Sequence, residues 1–232
     1  MGALDEMYDD PASAVRGADL VVLCTPVGTF PAMLESIGGS LEPGAVVTDV
    51  GSTKASVVEA ARKRLPKSAH FIGSHPIAGS EKRGVEFARA DLLHDALCIV
   101  TPDESTDADA LQNVESFWRL LGMHTTRLSP AEHDRRLADV SHLPHAVAAA
   151  LVAMQEDESL ALAGKGFADT TRVAGGDGAL WRDIFLDNRE NVLSSINRLR
   201  VQLDHFAGAL RAGDADAVKS WLDGAAKRRG AL

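Results

Sequence analysis

Apolar residues run in short unbroken blocks through the first half of the chain. Leu20-Val21-Val22-Leu23-Cys24, Ala45-Val46-Val47 and Leu97-Cys98-Ile99-Val100 carry no polar alternation. Such blocks predict strands buried on both faces, as in a parallel sheet. Phe71-Ile72 predicts a further short strand, and His124 to Leu128 the last. Between them the spacing predicts helices over Gly28 to Ile37, from Gly51-Ser52-Thr53-Lys54 to Arg64, around Gly84 to Leu93, and over Asp107 to Leu121. In the last of these Leu111, Val114, Phe117, Trp118 and Leu121 recur at helical spacing. Strands alternating with helices predict right-handed βαβ units.

Beyond Ser129 no strand-like block recurs. Ala131 to Met154, Trp181 to Leu210 and Asp214 to Arg228 read as helices, with a glycine-bearing connection from Gly164 to Gly178. Val192, Ile196, Leu199, Leu203 and Phe206 give the long helix from Asp187 to Leu210 an apolar face. The predicted organisation is an α/β domain over 1–129 followed by an all-α domain over 130–232.

Composition narrows the partners. The chain has 232 residues, enough for a real core, and a net charge of −9. No basic stripe offsets that charge, which argues against a nucleic-acid partner. An acidic protein must bind an anion with local cations, so single arginines gain interest. No apolar block approaches membrane-spanning length. Cys24 and Cys98 each sit in an apolar block and read as buried thiols of a reducing cytoplasm.

Three stretches carry candidate chemistry. Gly73-Ser74-His75-Pro76-Ile77-Ala78-Gly79-Ser80-Glu81-Lys82-Arg83-Gly84 reads as a loop leaving a strand. Pro76 biases His75 toward an extended backbone, at the edge where open α/β sheets bind ligands. A solvated surface loop is the simpler alternative. Ser141-His142-Leu143-Pro144-His145 puts two histidines on one helix face, as cleft residues, structural residues or metal ligands with His133 and Asp134. Arg172, after Gly164 to Thr171, is either a surface cation or a guanidinium clamp for a carboxylate. Ser52 is a plausible helix N-cap whose neighbouring amides could meet an anion.

Together these stretches resemble the prephenate and arogenate dehydrogenase family of tyrosine biosynthesis. The resemblance rests on Gly73 to Glu81, Ser141 to His145, and Phe167 to Arg172 through Trp181-Arg182-Asp183. It extends to Ala18 to Val22 and Asp49 to Lys54. It implies a partial, Rossmann-like dinucleotide-binding sheet domain, a helical dimerisation domain, and a cytoplasmic homodimer. It implies NAD- or NADP-dependent oxidative decarboxylation of prephenate or arogenate, with His75 taking the ring-hydroxyl proton and Ser52 orienting that hydroxyl. By the same resemblance Arg172, His145, Ser80 and Glu81 line the substrate pocket, Thr25-Pro26-Val27 runs past the cofactor, and no metal takes part.

The family's Gly-x-Gly-x-x-Gly fingerprint does not occur in these residues, and the start of the chain resembles the segment after the second strand of such a domain. The expectation is a native chain longer than this one. Lys165 stands where the family often has glycine. Two rivals follow: a binding or dimerisation module without a cofactor site, and a β-hydroxyacid-type dehydrogenase, which would need a helical lysine as its acid and base.

Overall fold

The computed structural model describes residues 5–79 and 85–231. Five strands form one sheet in the order β1 to β5: β1 (Leu20–Leu23), β2 (Val46–Asp49), β3 (His70–Ile77), β4 (Leu97–Thr101) and β5 (His124–Arg127). The neighbours β1–β2, β2–β3 and β4–β5 are parallel. Adjacent residues of β2 serve opposite faces. Val47 joins a core with Phe30, Leu34 and Ile37 of α2 (Phe30–Gly38) and Val57 and Ala61 of α3 (Ala55–Arg64). Val46 joins a second core with Leu111, Val114 and Trp118 of α4 (Ala108–Leu120). That double burial is why these blocks show no polar alternation. (Here α1 is the single turn Pro11–Ala14.)

Two expectations about the middle of the sheet are corrected. First, β4 runs antiparallel to β3, with Gly73 opposite Thr101 and Ile77 opposite Leu97. A parallel crossover needs a long connection, usually a helix. Among the described residues, the predicted helix from Gly84 to Leu93 is reduced to one 3-10 turn, Val85–Phe87. Second, the strand does not stop at Ile72, so His75 and Pro76 belong to β3 and not to a loop. Pairing of β2 with β3 ends at Thr48 opposite Ile72. Beyond it β3 pairs with β4 alone, and a proline is tolerated on such an edge.

Where β2 and β3 part, a side chain replaces the ladder. The buried Asp49 carboxylate accepts from Ser74 N (3.0 Å) and Gly51 N (2.9 Å), and forms an ion pair with the fully buried Lys54 ammonium. Ser74 Oγ lies 2.6 Å from Asp49 O and 2.6 Å from Thr48 Oγ1, and accepts from Trp118 Nε1 at 3.0 Å. Gly73 is required beneath this pair: a Cβ there would lie 2.5 Å from Thr101 Oγ1 and 3.3 Å from Lys54 Cδ.

The second half is helical, as expected. It comprises α5 (Pro130–Leu137), α6 (Leu143–Ala153), α7 (Asp157–Leu160), α8 (Lys165–Thr171), α9 (Gly178–Asp187), α10 (Arg189–Ala212) and α11 (Ala215–Arg229). Ser129 caps α5, accepting from Glu132 N at 3.2 Å. Between α5 and α6 the backbone widens into a π turn, 138–142, where Leu143 N donates to Ala138 O. Pro144 has no N–H to continue the tighter ladder. The predicted helix from Trp181 to Leu210 breaks at Asn188, whose side chain leaves the helix surface to bond elsewhere. The glycine-bearing connection contains α8 and a 3-10 turn, Arg172–Gly175. Cys98 is buried, but Cys24 is exposed because it lies just past the end of β1.

Removing one member of a buried ion pair strands the other charge. Lys54→Met should therefore lower the unfolding free energy by about 3–5 kcal/mol in urea titration, and Lys54→Met/Asp49→Asn should recover at least half of that. Additive losses in the double variant would show that the two charges are not coupled.

Candidate active site

β1, β2 and β3 are parallel, so Thr25, Ser52 and His75 all emerge near one edge of the sheet. At that edge the helical half closes over the sheet and leaves a cavity of about 510 Å³. Ser52, His75 and Gly79 line it from the sheet side; Ser141, His145, Arg172 and Trp181 line it from the helical side. Four of the six expected catalytic and substrate residues thus meet in one place, from chain segments up to 120 positions apart. Ser80 and Glu81 lie outside the described residues. A larger groove, about 700 Å³, runs between α3 and the start of α4 past His70, at the opposite end of β3. It has none of the converging imidazoles, and ligands of open α/β sheets bind at the carboxyl ends of strands.

His75 is held from behind. Its Nδ1 lies 2.9 Å from Nε2 of His133, and His133 Nδ1 lies 2.8 Å from Oδ1 of Asp134. The Asp134 carboxylate also accepts from Lys54 N (2.8 Å) and Ala55 N (2.9 Å). The amides opening α3 do meet an anion, but it is this carboxylate, 80 residues away. Ser52 is not the N-cap; the helix starts at Ala55 with no side-chain cap from its own neighbourhood. Ser52 is left lining the cavity.

Burial holds His75 neutral, with its proton affinity well below the ordinary histidine range; the Lys54 charge, His133 and His142 add to the effect. His133 is lowered by burial, against the opposing pull of Asp134. Burial takes His142 down to about 4. Its Nδ1 lies 3.1 Å from Asn188 Nδ2, which also donates to Asp134 O at 2.7 Å. Asn188 therefore ties the α9–α10 junction to the back of the site. His145 stacks on Trp181 with ring centroids 3.6 Å apart and planes 18° apart. Its Nδ1 is buried without a hydrogen-bond partner among the described residues. Gly176 permits the stack, because a Cβ there would lie 2.6 Å from Trp181 Nε1.

Other expected residues fall elsewhere. Thr25 and Pro26 sit at the exit of β1 outside this cavity, and the Val27 side chain is buried in the core beside α2. Lys165 is exposed on α8 and paired with Asp169 at 2.7 Å, so it is not the cleft lysine of a β-hydroxyacid-type site. His142 and His145 both pack against Trp181, with ring centroids 6.2 and 3.6 Å away, but only His145 lines the cavity. Among the described residues, no group of three or more His, Cys, Asp or Glu is arranged for a metal ion. His133, Asp134 and Asn188 had no local signal for their roles. His133 and Asp134 lie in α5 and Asn188 at the α9–α10 junction, and each acts across a long sequence gap.

Comparisons with known proteins identify the family of both halves of the chain. Residues 1–127 match the family description "Prephenate dehydrogenase, nucleotide-binding domain", and residues 129–224 match "Prephenate dehydrogenase, dimerization domain". The chain is 36% identical to a prephenate dehydrogenase of Bacillus subtilis over 93% of its own length, and spans 60% of that relative. It is 33% identical to a cyclohexadienyl dehydrogenase of Zymomonas mobilis, over 98% of this chain and 80% of that one. Among solved structures it resembles an Aquifex aeolicus prephenate dehydrogenase in complex with hydroxyphenyl propionate and NAD+. There the TM-score is 0.89 and the identity 37%, over 99% of this chain and 82% of that one. Synechocystis arogenate dehydrogenase is also similar, with a TM-score of 0.84 and 32% identity over 98% and 83% of the two chains.

The buried neutral histidines make stability pH-dependent. Their folded proton affinity lies below the unfolded value near 6.5, so the unfolded state binds more protons as pH falls. Their contribution is full above pH 6.5 and declines below it, for His142 down to about 4. For His142 alone the loss is on the order of 3 kcal/mol. Urea midpoints should be flat above pH 7 and fall between 6.5 and 4. A flat profile over that interval would show the histidines to be solvated.

Proposed function

The chain belongs to the prephenate dehydrogenase family, and we propose that its cleft catalyses NAD- or NADP-dependent oxidative decarboxylation of prephenate or arogenate. The observation that carries this reading is a neutral imidazole facing a guanidinium across one cavity: His75 on the sheet side, Arg172 on the helical side. A neutral imidazole can accept a proton, and a guanidinium fork suits a carboxylate.

Arg172 binds a substrate carboxylate and points the ring at the sheet edge. Ser52 and His75 receive the ring hydroxyl, and His75 takes its proton. Bound NAD(P)+ supplies the acceptor for the hydride that leaves the same carbon. The electrons of the bond to the ring carboxylate then pass into the ring as carbon dioxide departs, and the ring becomes aromatic. His145, stacked on Trp181, lines the pocket beside the substrate.

For the reacting end of a nicotinamide dinucleotide we keep Thr25 and Pro26, at the exit of β1 on the carboxyl edge of the parallel strands, with Ser52 in the cavity, and Ser80 and Glu81 stay pocket candidates. We read residues 1–129 as the dinucleotide-binding domain and 130–232 as the dimerisation domain of a cytoplasmic homodimer. Exposed Leu193, Val201, Leu203 and Leu210 on α10, with Leu222 on α11, support a second copy as the partner of these helices. No helix among the described residues is long and apolar enough to cross a membrane.

Steady-state kinetics with prephenate and NAD+ test the reading. His75→Asn should lower kcat by about 100-fold or more with KM little changed, and Arg172→Gln should mainly raise KM, by about 10-fold or more. An unaltered kcat in the first variant, or an unaltered KM in the second, would remove that residue from its role. Calorimetry that finds hydroxyphenyl propionate bound, but no nicotinamide dinucleotide at millimolar concentration, would favour the binding-module rival.

A further inference from the structure

We infer that Asp134 and His133 are positioning residues that fix the tautomer of His75, so that its Nε2 is the atom bearing the lone pair in the cleft. The inference rests on the reading of His75 as the base, and specifies how that base is prepared.

The donors and acceptors of the chain leave one consistent assignment. Both oxygens of Asp134 accept backbone N–H groups of the start of α3, at 2.8 and 2.9 Å, so this carboxylate is committed as an acceptor. His133 Nδ1, 2.8 Å from Oδ1, must then carry its proton and donate. His133 is fully buried and neutral, so its other nitrogen, Nε2, bears the lone pair. That lone pair lies 2.9 Å from His75 Nδ1, which must therefore be the protonated nitrogen of His75. His75 is neutral as well, which leaves Nε2 as its acceptor.

The arrangement differs from a lone buried histidine in two ways. The carboxylate comes from the helical half and is seated on a helix end of the sheet half, where the backbone dipoles favour negative charge. The tautomer of the base is thus set by the packing of one half of the chain on the other. A second imidazole stands between carboxylate and base, so Asp134 does not itself touch His75, and burial keeps the proton affinity of His75 low.

Proton-detected ¹⁵N spectra of the histidine rings, recorded on the whole chain near pH 7.5, test this without any turnover. The expected result is His75 as the Nδ1–H tautomer. His133→Gln, whose amide oxygen can occupy the acceptor position, should keep that tautomer. His133→Leu should lose it and populate Nε2–H. A wild-type His75 protonated at Nε2, or a His75 tautomer unchanged in His133→Leu, would overturn the inference. In assays of prephenate oxidation, His133→Leu should lower kcat on the order of 100-fold with KM within about threefold, and His133→Gln should retain most of kcat. If the spectra behave as expected while the wild-type protein does not oxidise prephenate, the reading of the reaction fails and the tautomer assignment stands.

Discussion

The Asp134 carboxylate on the first amides of α3 is the contact on which the rest of the cleft depends. A helix start leaves N–H groups without partners, and burying them unpaired is costly. The sequence after β2 offers no side chain that caps them. The cap arrives from the helical half, and with it come His133 behind His75, the Asn188 link to the α9–α10 junction, and the wall that carries His145 and Arg172. One electrostatic need of the sheet half fixes the position of the half that completes its site.

Much of this was legible in the sequence, and the parts that were not have physical reasons. The unbroken blocks around Val22, Val47 and Ile99 gave away doubly buried strands because burial on both faces leaves no place for polar alternation. Pro76 correctly announced an extended His75. Pattern alone could not show that His75 lies inside a strand, because the edge that tolerates Pro76 exists only where β2 stops pairing. The antiparallel β4 was hidden for a similar reason: the segment after Gly79 has helical composition without forming a crossover helix among its described residues. Asp134 was legible only as a possible metal ligand and Asn188 not at all, since a carboxylate or amide on or between helices reads as solvated until the segment it faces is known.

Two buried electrostatic arrangements divide the labour. Asp49 and Lys54 form a closed pair where β2 and β3 separate, and Trp118 through Ser74 fastens α4 to the same point. This is scaffold, although the Lys54 charge also reaches His75 and helps keep it neutral. The histidines form an open series, each neutral because it is buried, ending at an imidazole on the cavity. Arg172 supplies positive charge on the far wall of a chain whose net charge is −9. In the proposed reading an anionic group sits at that wall and a proton acceptor at the other.

The central claim is the orientation of the substrate between those two ends. The most direct measurement is a crystal structure of this chain with hydroxyphenyl propionate bound. The account predicts the phenolic oxygen within hydrogen-bond distance of His75 Nε2 and Ser52 Oγ, with the carboxylate on Arg172. A carboxylate seated beside His75, or a ligand lodged in the groove between α3 and α4, would contradict it.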